Sequence, residues 1–225
     1  RSANLGGDNA PLQGLTAGAQ LDAVVAAAAD RGILVMLDCH HMEAAPSAIP
    51  ELWYVPGEWP EERVVRAWQT IARLYAGAWN VFAADLNNEP HGRATWGDGN
   101  AATDWRAGAE RLGAAVLAAN PRLLCFVEGT AGGAVPIQTP EPCFWGGGLC
   151  SAVAAPVRLP VPRRLVLSPH VYGPGVFMQV SGRGEERERG RERERVARAR
   201  ARACALLNTP RDRACASGGR EARER

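Results

Sequence analysis

The sequence of 225 residues contains no lysine: all 26 of its basic side chains are arginines, set against 24 aspartates and glutamates. Surfaces that bind nucleic acid normally combine both basic residue types with aromatic side chains or a recognisable module, and residues 1–180 show no such patch. The sequence also lacks any run of about 18 strongly apolar residues, the length that a membrane-spanning helix requires. These absences predict that the partners of this protein are neither nucleic acids nor membranes.

Motifs that hold metals and nucleotides are also missing. No C-x-x-C or H-E-x-x-H spacing supports a zinc site, and the adjacent Cys39, His40 and His41 would point to alternate faces of an extended chain. The dinucleotide-binding fingerprint G-x-G-x-x-G does not follow the first predicted strand. The sequence therefore predicts neither a metal nor another cofactor.

Residues 181–225 differ sharply in composition from the rest of the chain. They hold 14 arginines and 8 acidic residues, a net charge of +6, whereas residues 1–180 hold 12 arginines and 16 acidic residues, a net charge of −4. This segment also contains few bulky apolar side chains. Burying them cannot offset the free-energy cost of ordering the backbone, about 1–2 kcal/mol per residue. We therefore predict a partial globular domain over 1–180 and a low-complexity Arg/Glu/Ala tail over 181–225. We expect the tail to be disordered. It is either a natural interaction tail or the translation of a GC-rich repeat in a mistaken gene model, and the repeat pattern favours the second.

Helical and strand patterns alternate between Leu15 and Tyr172. Apolar residues at helical spacing predict helices over about 21–28, 61–75 and 103–119. Between and after them lie short, uninterrupted apolar runs, at 33–37, 81–86, 123–127 and 165–167. Strands that are apolar on both faces belong to parallel sheets covered by helices, so the chain is predicted to be an α/β protein.

Polar groups follow every predicted strand. The four strand ends read Asp38-Cys39-His40-His41, Asn87-Asn88-Glu89-Pro90-His91, Glu128-Gly129 and Ser168-Pro169-His170-Val171-Tyr172. In a (β/α)₈ TIM barrel such strand ends share one face, where the catalytic residues lie, and this favours a barrel over a doubly wound open sheet. Because only four strands are legible, we expect an incomplete barrel containing roughly strands 3 to 6. The earlier strands would precede Arg1, and the last two would fall where the tail is.

Glu89 is the strongest candidate for catalysis. A carboxyl at a strand end is placed to donate a proton if burial or a like charge raises its pKa, although Glu89 can equally cap a turn or pair with an arginine. His40 and His170, at equivalent strand ends, are able to bind a sugar hydroxyl or orient a carboxylate. Taken alone, each is more often a structural histidine.

Aromatic residues and cysteines in the loops leave alternatives open. Trp53, Trp96 and Trp145 fall in predicted loops, where a large aromatic side chain either packs against the core or stacks on a ligand such as a sugar ring. Cys143 and Cys150 bracket a short loop and are able to close a disulfide, which would agree with an oxidising compartment.

The ordered set of motifs resembles glycoside hydrolase family 5, the retaining cellulase family, and is most similar to the branch of endo-β-1,4-glucanases. The motifs, within about residues 9–178, are Leu12-Gln13-Gly14-Leu15-Thr16, Leu37-Asp38-Cys39-His40, Leu52-Trp53-Tyr54, Leu86-Asn87-Asn88-Glu89-Pro90-His91, Trp96-Gly97, Asp104-Trp105-Arg106, Phe126-Val127-Glu128-Gly129, Trp145-Gly146-Gly147 and Ser168-Pro169-His170-Val171-Tyr172. The resemblance implies the TIM-barrel fold and an O-glycosyl hydrolase that acts on β-glucan without a metal. Because such a polymer cannot enter a cell, it also implies an extracellular protein.

The same resemblance implies a role for each candidate residue. Glu89 would be the general acid/base, and Asn88 would hydrogen-bond the sugar 2-hydroxyl. His40, His170 and Tyr172 would line the cleft and position the substrate and the nucleophile. Trp145 and Trp53 would stack on glucosyl rings.

One catalytic residue of the family is not found. Retaining glycosidases need two carboxyl groups about 5–5.5 Å apart, and in the family the nucleophile Glu ends a strand beyond the His-x-Tyr element. No Glu after Tyr172 ends an apolar strand, and an Arg that the family takes from its second strand would lie before Arg1. We therefore predict that the chain as written is inactive, with a truncated protein that binds β-glucan without cutting it as the alternative.

Overall fold

The computed structural model of the protein describes residues 7–42, 49–131 and 143–172. Residues 1–171 form one compact unit, and Tyr172 is the only described residue of the second unit, which spans residues 172–225. The predicted tail over 181–225 lies outside the described residues, so its disorder stays a prediction.

A four-stranded sheet forms the centre of the first unit. Its strands, β1 (Val35–Asp38), β2 (Val81–Asp85), β3 (Leu124–Val127) and β4 (Leu165–Leu167), lie side by side in chain order. All three pairings are parallel. Strand β1 extends one residue beyond the predicted apolar run, because Asp38 pairs in register with Asp85.

Three α-helices alternate with the first three strands along the chain, each preceding a strand: α1 (Ala17–Ala29), α2 (Glu61–Leu74) and α3 (Trp105–Ala119). Short 3₁₀ helices span Gly7–Leu12 and Cys150–Ala152. The predicted α/β alternation is confirmed for every strand and helix, with ends shifted by a few residues. No helix of the described ranges combines the length and the apolar character needed to cross a membrane.

Local sequence sets where the helices begin. Thr16 caps α1 and Asp104 caps α3, each side chain accepting a hydrogen bond from a backbone N–H of the first turn. Helix α2 follows Pro60 and carries Glu61 and Glu62 in its first turn, where negative charge suits the positive end of the helix dipole. These residues set the position at which each helix begins.

The core lies between the sheet and helices α2 and α3. Trp68 of α2 is buried and donates its indole N–H to the carbonyl of Leu86 at 3.2 Å, which ties α2 to the end of β2. The buried residues of α3 extend this core, among them Trp105, Ala109, Leu112 and Val116. The end of β2 is thereby held against the layer of helices.

Strands β1 and β4 are the outer strands of the sheet that the described residues form. Leu34 just before β1, Met36 within β1 and Leu167 of β4 are exposed apolar side chains. Successive parallel strands joined by helices are the repeating arrangement of a (β/α)₈ barrel, and the described residues form four strands of this kind. The architecture is consistent with part of such a barrel.

Candidate active site

Four polar side chains stand at the C-terminal edge of the sheet. Asp38 ends β1, Asp85 ends β2, Glu128 directly follows β3, and His170 lies three residues beyond β4. Because all four strands are parallel, these ends meet on one face. The structure thus brings together groups that are far apart in sequence.

Glu89 enters this face on an unusual backbone. It has a φ of +49°, in the left-handed region that non-glycine residues rarely adopt, and it is 7% exposed. Its N–H donates to Oε2 of Glu128 at 2.8 Å, and Nδ1 of His91 lies 2.8 Å from its carbonyl oxygen. Backbone strain of about 1–3 kcal/mol persists only where the surroundings over-determine it, and here two buried side chains hold the peptide groups of Glu89.

His170 lies between two carboxyl groups. Its Nδ1 is 3.0 Å from Oε1 of Glu89, within hydrogen-bond distance. Its Nε2 is 2.9 Å from Oε1 of Glu128, although this contact lacks the angles of a regular hydrogen bond. Glu89, Glu128 and His170 therefore form a closed ring of polar contacts.

Glu128 is a site residue to which the sequence analysis assigned no role. Its carboxyl is 1% exposed, and this burial raises its pKa to about 9, with Asp85 contributing further and the N–H of Glu89 acting in the opposite direction. Its carbonyl oxygen accepts a hydrogen bond from the indole of Trp105 at 2.9 Å. The sequence signal that identifies Glu128 is the same as for the other candidate residues: a polar residue at the end of an apolar strand.

Trp145 borders the ring of contacts. It is 39% exposed, and its indole stacks on the imidazole of His91 with ring centroids 3.7 Å apart. The next residue, Gly146, has a φ of +71°, and a Cβ there would collide with Oε2 of Glu128. The structure thus places Trp145, the predicted sugar-stacking residue, against His91, whose Nδ1 contacts the carbonyl of Glu89.

His40 and Asn88 lie at the neighbouring strand ends. Nδ1 of His40 pairs with Oδ2 of Asp38 at 2.8 Å, and the N–H of Asn88 donates to the carbonyl of Cys39 at 3.2 Å. Burial raises the pKa of Asp85 to about 7, with the charge of Asp38 adding to this and His40 opposing it. The β1 end is therefore tied to the loop that carries Glu89.

The structure corrects the expectation for Trp53. Its side chain is 0% exposed and lies in the core, 5.5 Å from the ring of Trp105 and 5.4 Å from that of Tyr54. Trp96 is equally buried and donates its indole N–H to the carbonyl of Ala155. Both loop tryptophans fill the core under the loops, so Trp53 offers no face to a glucosyl ring.

The remaining sequence expectations have different outcomes. Cys143 and Cys150 are not joined to each other by a disulfide. Tyr172 belongs to the second unit and is partly exposed, so its role stays a prediction. Within the described residues no group of His, Cys, Asp and Glu is arranged to hold a metal ion.

Comparison with known proteins identifies relatives of this chain. A family profile described as Cellulase (glycosyl hydrolase family 5) matches residues 4–208. The major extracellular endoglucanase of Xanthomonas campestris pv. campestris is 47% identical over 171 residues, which cover 76% of this chain and 34% of that protein.

Solved structures agree with this match. The catalytic domain of the same endoglucanase superimposes with a TM-score of 0.68 at 46% identity, covering 76% of this chain and 48% of that one. A variant of the endocellulase from Pyrococcus horikoshii, in complex with cellotetraose, superimposes with a TM-score of 0.69 at 38% identity, covering 76% of this chain and 49% of that one. The chain therefore spans about half of the solved domains that it matches.

Proposed function

The chain belongs to glycosyl hydrolase family 5, the cellulase family, and from this we propose that it carries the acid/base side of a retaining endo-β-1,4-glucanase site. The substrate class is β-glucan, and no metal or other cofactor takes part. The active site of such an enzyme is built on a complete (β/α)₈ barrel, and we propose that the four strands of the described residues are part of one.

The contact between Glu89 and His170 carries this proposal. A general acid must hold a proton near the leaving group and then bear a negative charge, so it needs a nearby group that stabilises both states. His170 lies 3.0 Å from the carboxyl of Glu89, and Glu89 stands on the face where barrel enzymes hold their catalytic groups. Glu89 is accordingly the general acid/base.

Other residues complete the substrate side of the site. Asn88 precedes the acid and would hydrogen-bond the sugar 2-hydroxyl, while His40 and Tyr172 would line the groove. Trp145, half-exposed and backed by the ring of His91, would stack on a glucosyl ring, since sugar rings present apolar faces to aromatic side chains.

Glu128 is not the nucleophile of this site. A nucleophilic carboxylate must be ionised and must reach the anomeric carbon of the sugar. The Glu128 carboxyl is buried and its pKa is raised to about 9, so it is neutral and shielded at neutral pH. We therefore propose that the second catalytic carboxyl is absent from the described residues and that the 225-residue chain does not cleave glucan unaided.

Binding without cleavage is the second candidate. The partial exposure of Trp145, whose indole stacks on His91, favours it, because stacking on sugar requires no nucleophile. An extracellular location follows for either function from the size of the polymer, and the Xanthomonas relative is described as extracellular.

A chimera tests the catalytic proposal. The aligned 171 residues of this chain replace their counterpart in the catalytic domain of the Xanthomonas endoglucanase, which supplies the remaining strands. We expect the chimera to release reducing ends from carboxymethylcellulose, and Glu89→Gln to lower this rate roughly 10²–10⁴-fold, the usual contribution of a general acid/base.

The matched control is Glu58→Gln, which makes the same chemical change at an exposed loop position and should leave the rate unchanged. A folded chimera whose hydrolysis is equal with and without the Glu89 carboxyl would overturn the assignment. Cellotetraose binding measured on the same proteins separates the loss of catalysis from the loss of substrate binding.

A further inference from the structure

His91 contacts two parts of the site at once. Its Nδ1 lies 2.8 Å from the carbonyl oxygen of Glu89, and its ring stacks on the indole of Trp145 with centroids 3.7 Å apart and planes inclined by 10°. The imidazole is buried, at 7% exposure, while Trp145 stays 39% exposed. One side chain therefore joins the peptide group of the proposed acid to the proposed sugar-stacking residue.

We propose that His91 is a positioning residue that holds Glu89 and Trp145 in a fixed relation: its Nδ1–H donates to the carbonyl of Glu89, and its ring fixes the orientation of the Trp145 indole. This inference rests on the proposed roles of Glu89 as the general acid/base and of Trp145 as the residue that stacks on a glucosyl ring. In this role His91 does not touch the substrate.

The direction of the hydrogen bond follows from the chemistry of its acceptor. A carbonyl oxygen only accepts, so Nδ1 of His91 carries the hydrogen that lies between the two atoms. The N–H of Glu89 is held separately, by Oε2 of Glu128 at 2.8 Å. His91 therefore restrains the peptide group that follows Glu89, and Glu128 restrains the one that precedes it.

The stack restrains the side chain of Trp145. Nearly parallel ring planes at a centroid distance of 3.7 Å bring the atoms of the two rings into van der Waals contact. The ring of Phe144 is farther away, at 6.5 Å between centroids. Rotation of the indole would break its contact with His91, so the imidazole holds the indole in one orientation.

His91 is itself held through its backbone. Its N–H donates to the carbonyl of Glu51 at 3.1 Å, and its carbonyl accepts the N–H of Ala94 at 2.9 Å. A sugar stacked on Trp145 would then keep a constant position relative to the carboxyl of Glu89. General acid catalysis requires this, because small errors in the position of the reacting groups slow proton transfer.

Two substitutions separate the two contacts. His91→Phe keeps an aromatic ring for Trp145 and removes the donor to Glu89, whereas His91→Asn keeps an amide N–H near the position of Nδ1 and removes the ring. In the chimera with the Xanthomonas catalytic domain we expect His91→Phe to lower kcat roughly 10–100-fold with little change in KM. His91→Asn should raise KM roughly 2–10-fold with little change in kcat. Equal effects of both variants on both constants, as a merely structural histidine would give, would overturn the proposal.

A double-mutant cycle with Trp145→Ala supplies the matched control. Once the indole is removed, His91→Asn should have no further effect on KM or on cellotetraose binding, whereas His91→Phe should still lower kcat. Additive effects of His91→Asn and Trp145→Ala would mean that the ring of His91 does not act through Trp145, and this part of the proposal would be wrong.

Two measurements on the full chain need no hydrolysis. Acrylamide quenching of Trp145 fluorescence, taken as the difference from a Trp145→Phe version of each protein, should increase in His91→Asn and stay near the parent value in His91→Phe. Unchanged quenching in a folded His91→Asn variant would refute the role of the stack. Nitrogen-15 NMR of the parent should show a hydrogen on Nδ1 of His91, and an unprotonated Nδ1 would refute the hydrogen bond even if neither variant folded.

Failure of the proposed function is distinguishable from failure of this inference. It shows as hydrolysis by the chimera that Glu89→Gln leaves unchanged, or as cellotetraose binding that Trp145→Ala leaves unchanged. Neither result alters the quenching of Trp145 or the hydrogen on Nδ1 of His91.

Discussion

At the scale of single residues, the backbone of Glu89 stores strain. A left-handed conformation costs an L-residue about 1–2 kcal/mol relative to its right-handed one, whereas glycine adopts it freely. Glu89 keeps a φ of +49° because its N–H and carbonyl are held by Glu128 and His91. The proposed acid therefore lies on a backbone conformation that a non-glycine residue keeps only where its surroundings hold it.

We expect Glu89→Gly to be more stable than Glu89→Ala by roughly 1 kcal/mol, because both variants lack the carboxyl and only alanine keeps the strain. Urea denaturation of the two proteins measures the difference. The same pair at Glu62, in the first turn of α2, should show the opposite order, since glycine weakens a helix. Equal stabilities at position 89 would mean that the positive φ carries no strain.

The buried carboxyl of Glu128 should make stability depend on pH. Its pKa rises from an ordinary value of 4.5 to about 9, so between these values the folded chain holds a proton that the unfolded chain has lost. Stability therefore falls as pH rises through this window, by at most about 1.4 kcal/mol per pH unit.

Glu128→Gln cannot titrate, so its stability relative to the parent should increase steadily with pH across the same window. Urea denaturation of both proteins at several pH values gives the difference. Asp85, whose pKa is about 7, is present in both proteins and contributes to both curves. A constant difference throughout the window would show that Glu128 is ionised in the folded state.

The sequence predicted part of the site at this scale. Glu89 and His170 were recognisable because each follows an apolar strand, and the structure brings them within 3.0 Å. The same pattern identified Glu128 as a polar residue at a strand end but assigned it no role. Its position in the strand does not reveal that its carboxyl accepts the backbone N–H of Glu89. Trp53 was mistaken because a loop tryptophan points inward or outward according to tertiary packing alone.

At the scale of elements, packing at one position makes glycine preferable to alanine inside a helix, the reverse of the ordinary preference. Gly108 lies in α3, and a Cβ there would collide with the buried ring of Trp53. Gly18 lies in α1 with nothing within 4 Å of the same position. Helix α3 can therefore approach Trp53 closely only with glycine at position 108. No neighbouring atom requires glycine at position 18.

We expect Gly18→Ala to stabilise the chain by about 0.5–1 kcal/mol, the usual gain in a helix, and Gly108→Ala to destabilise it by about 1–3 kcal/mol through overpacking. Thermal or urea denaturation checks both signs. Stabilisation by both substitutions would show that Trp53 moves aside freely and does not fix the position of α3.

Strand and helix positions were predictable because their apolar patterns are strong. The polar end of β1 was not, since Asp38 joins the sheet through its backbone pairing with Asp85 and backbone pairing leaves no mark in an apolar pattern. The start of α3 was predicted near residue 103, whereas the helix begins at Trp105, after Asp104, whose side chain accepts an otherwise unpaired N–H of the first turn.

At the scale of the whole molecule, the proposed reaction needs two carboxyl groups. Retention requires one carboxyl to attack while another protonates the leaving oxygen. On the proposed assignment Glu89 performs the second task. The carboxyl in contact with its peptide group, Glu128, is buried, and burial raises its pKa to about 9, so Glu128 does not suit the first task at neutral pH.

The 225-residue chain should therefore release no more reducing ends from carboxymethylcellulose than its own Glu89→Gln variant does. The chimera described above, assayed at equal concentration, shows that the assay detects the reaction when the remaining strands are present. If Trp145 acts as proposed, the isolated chain should still bind cellotetraose, more weakly in Trp145→Ala. Hydrolysis by the isolated chain that disappears in Glu89→Gln would mean that this chain supplies its own nucleophile, and the proposed division of the two carboxyls between different parts of the barrel would be wrong.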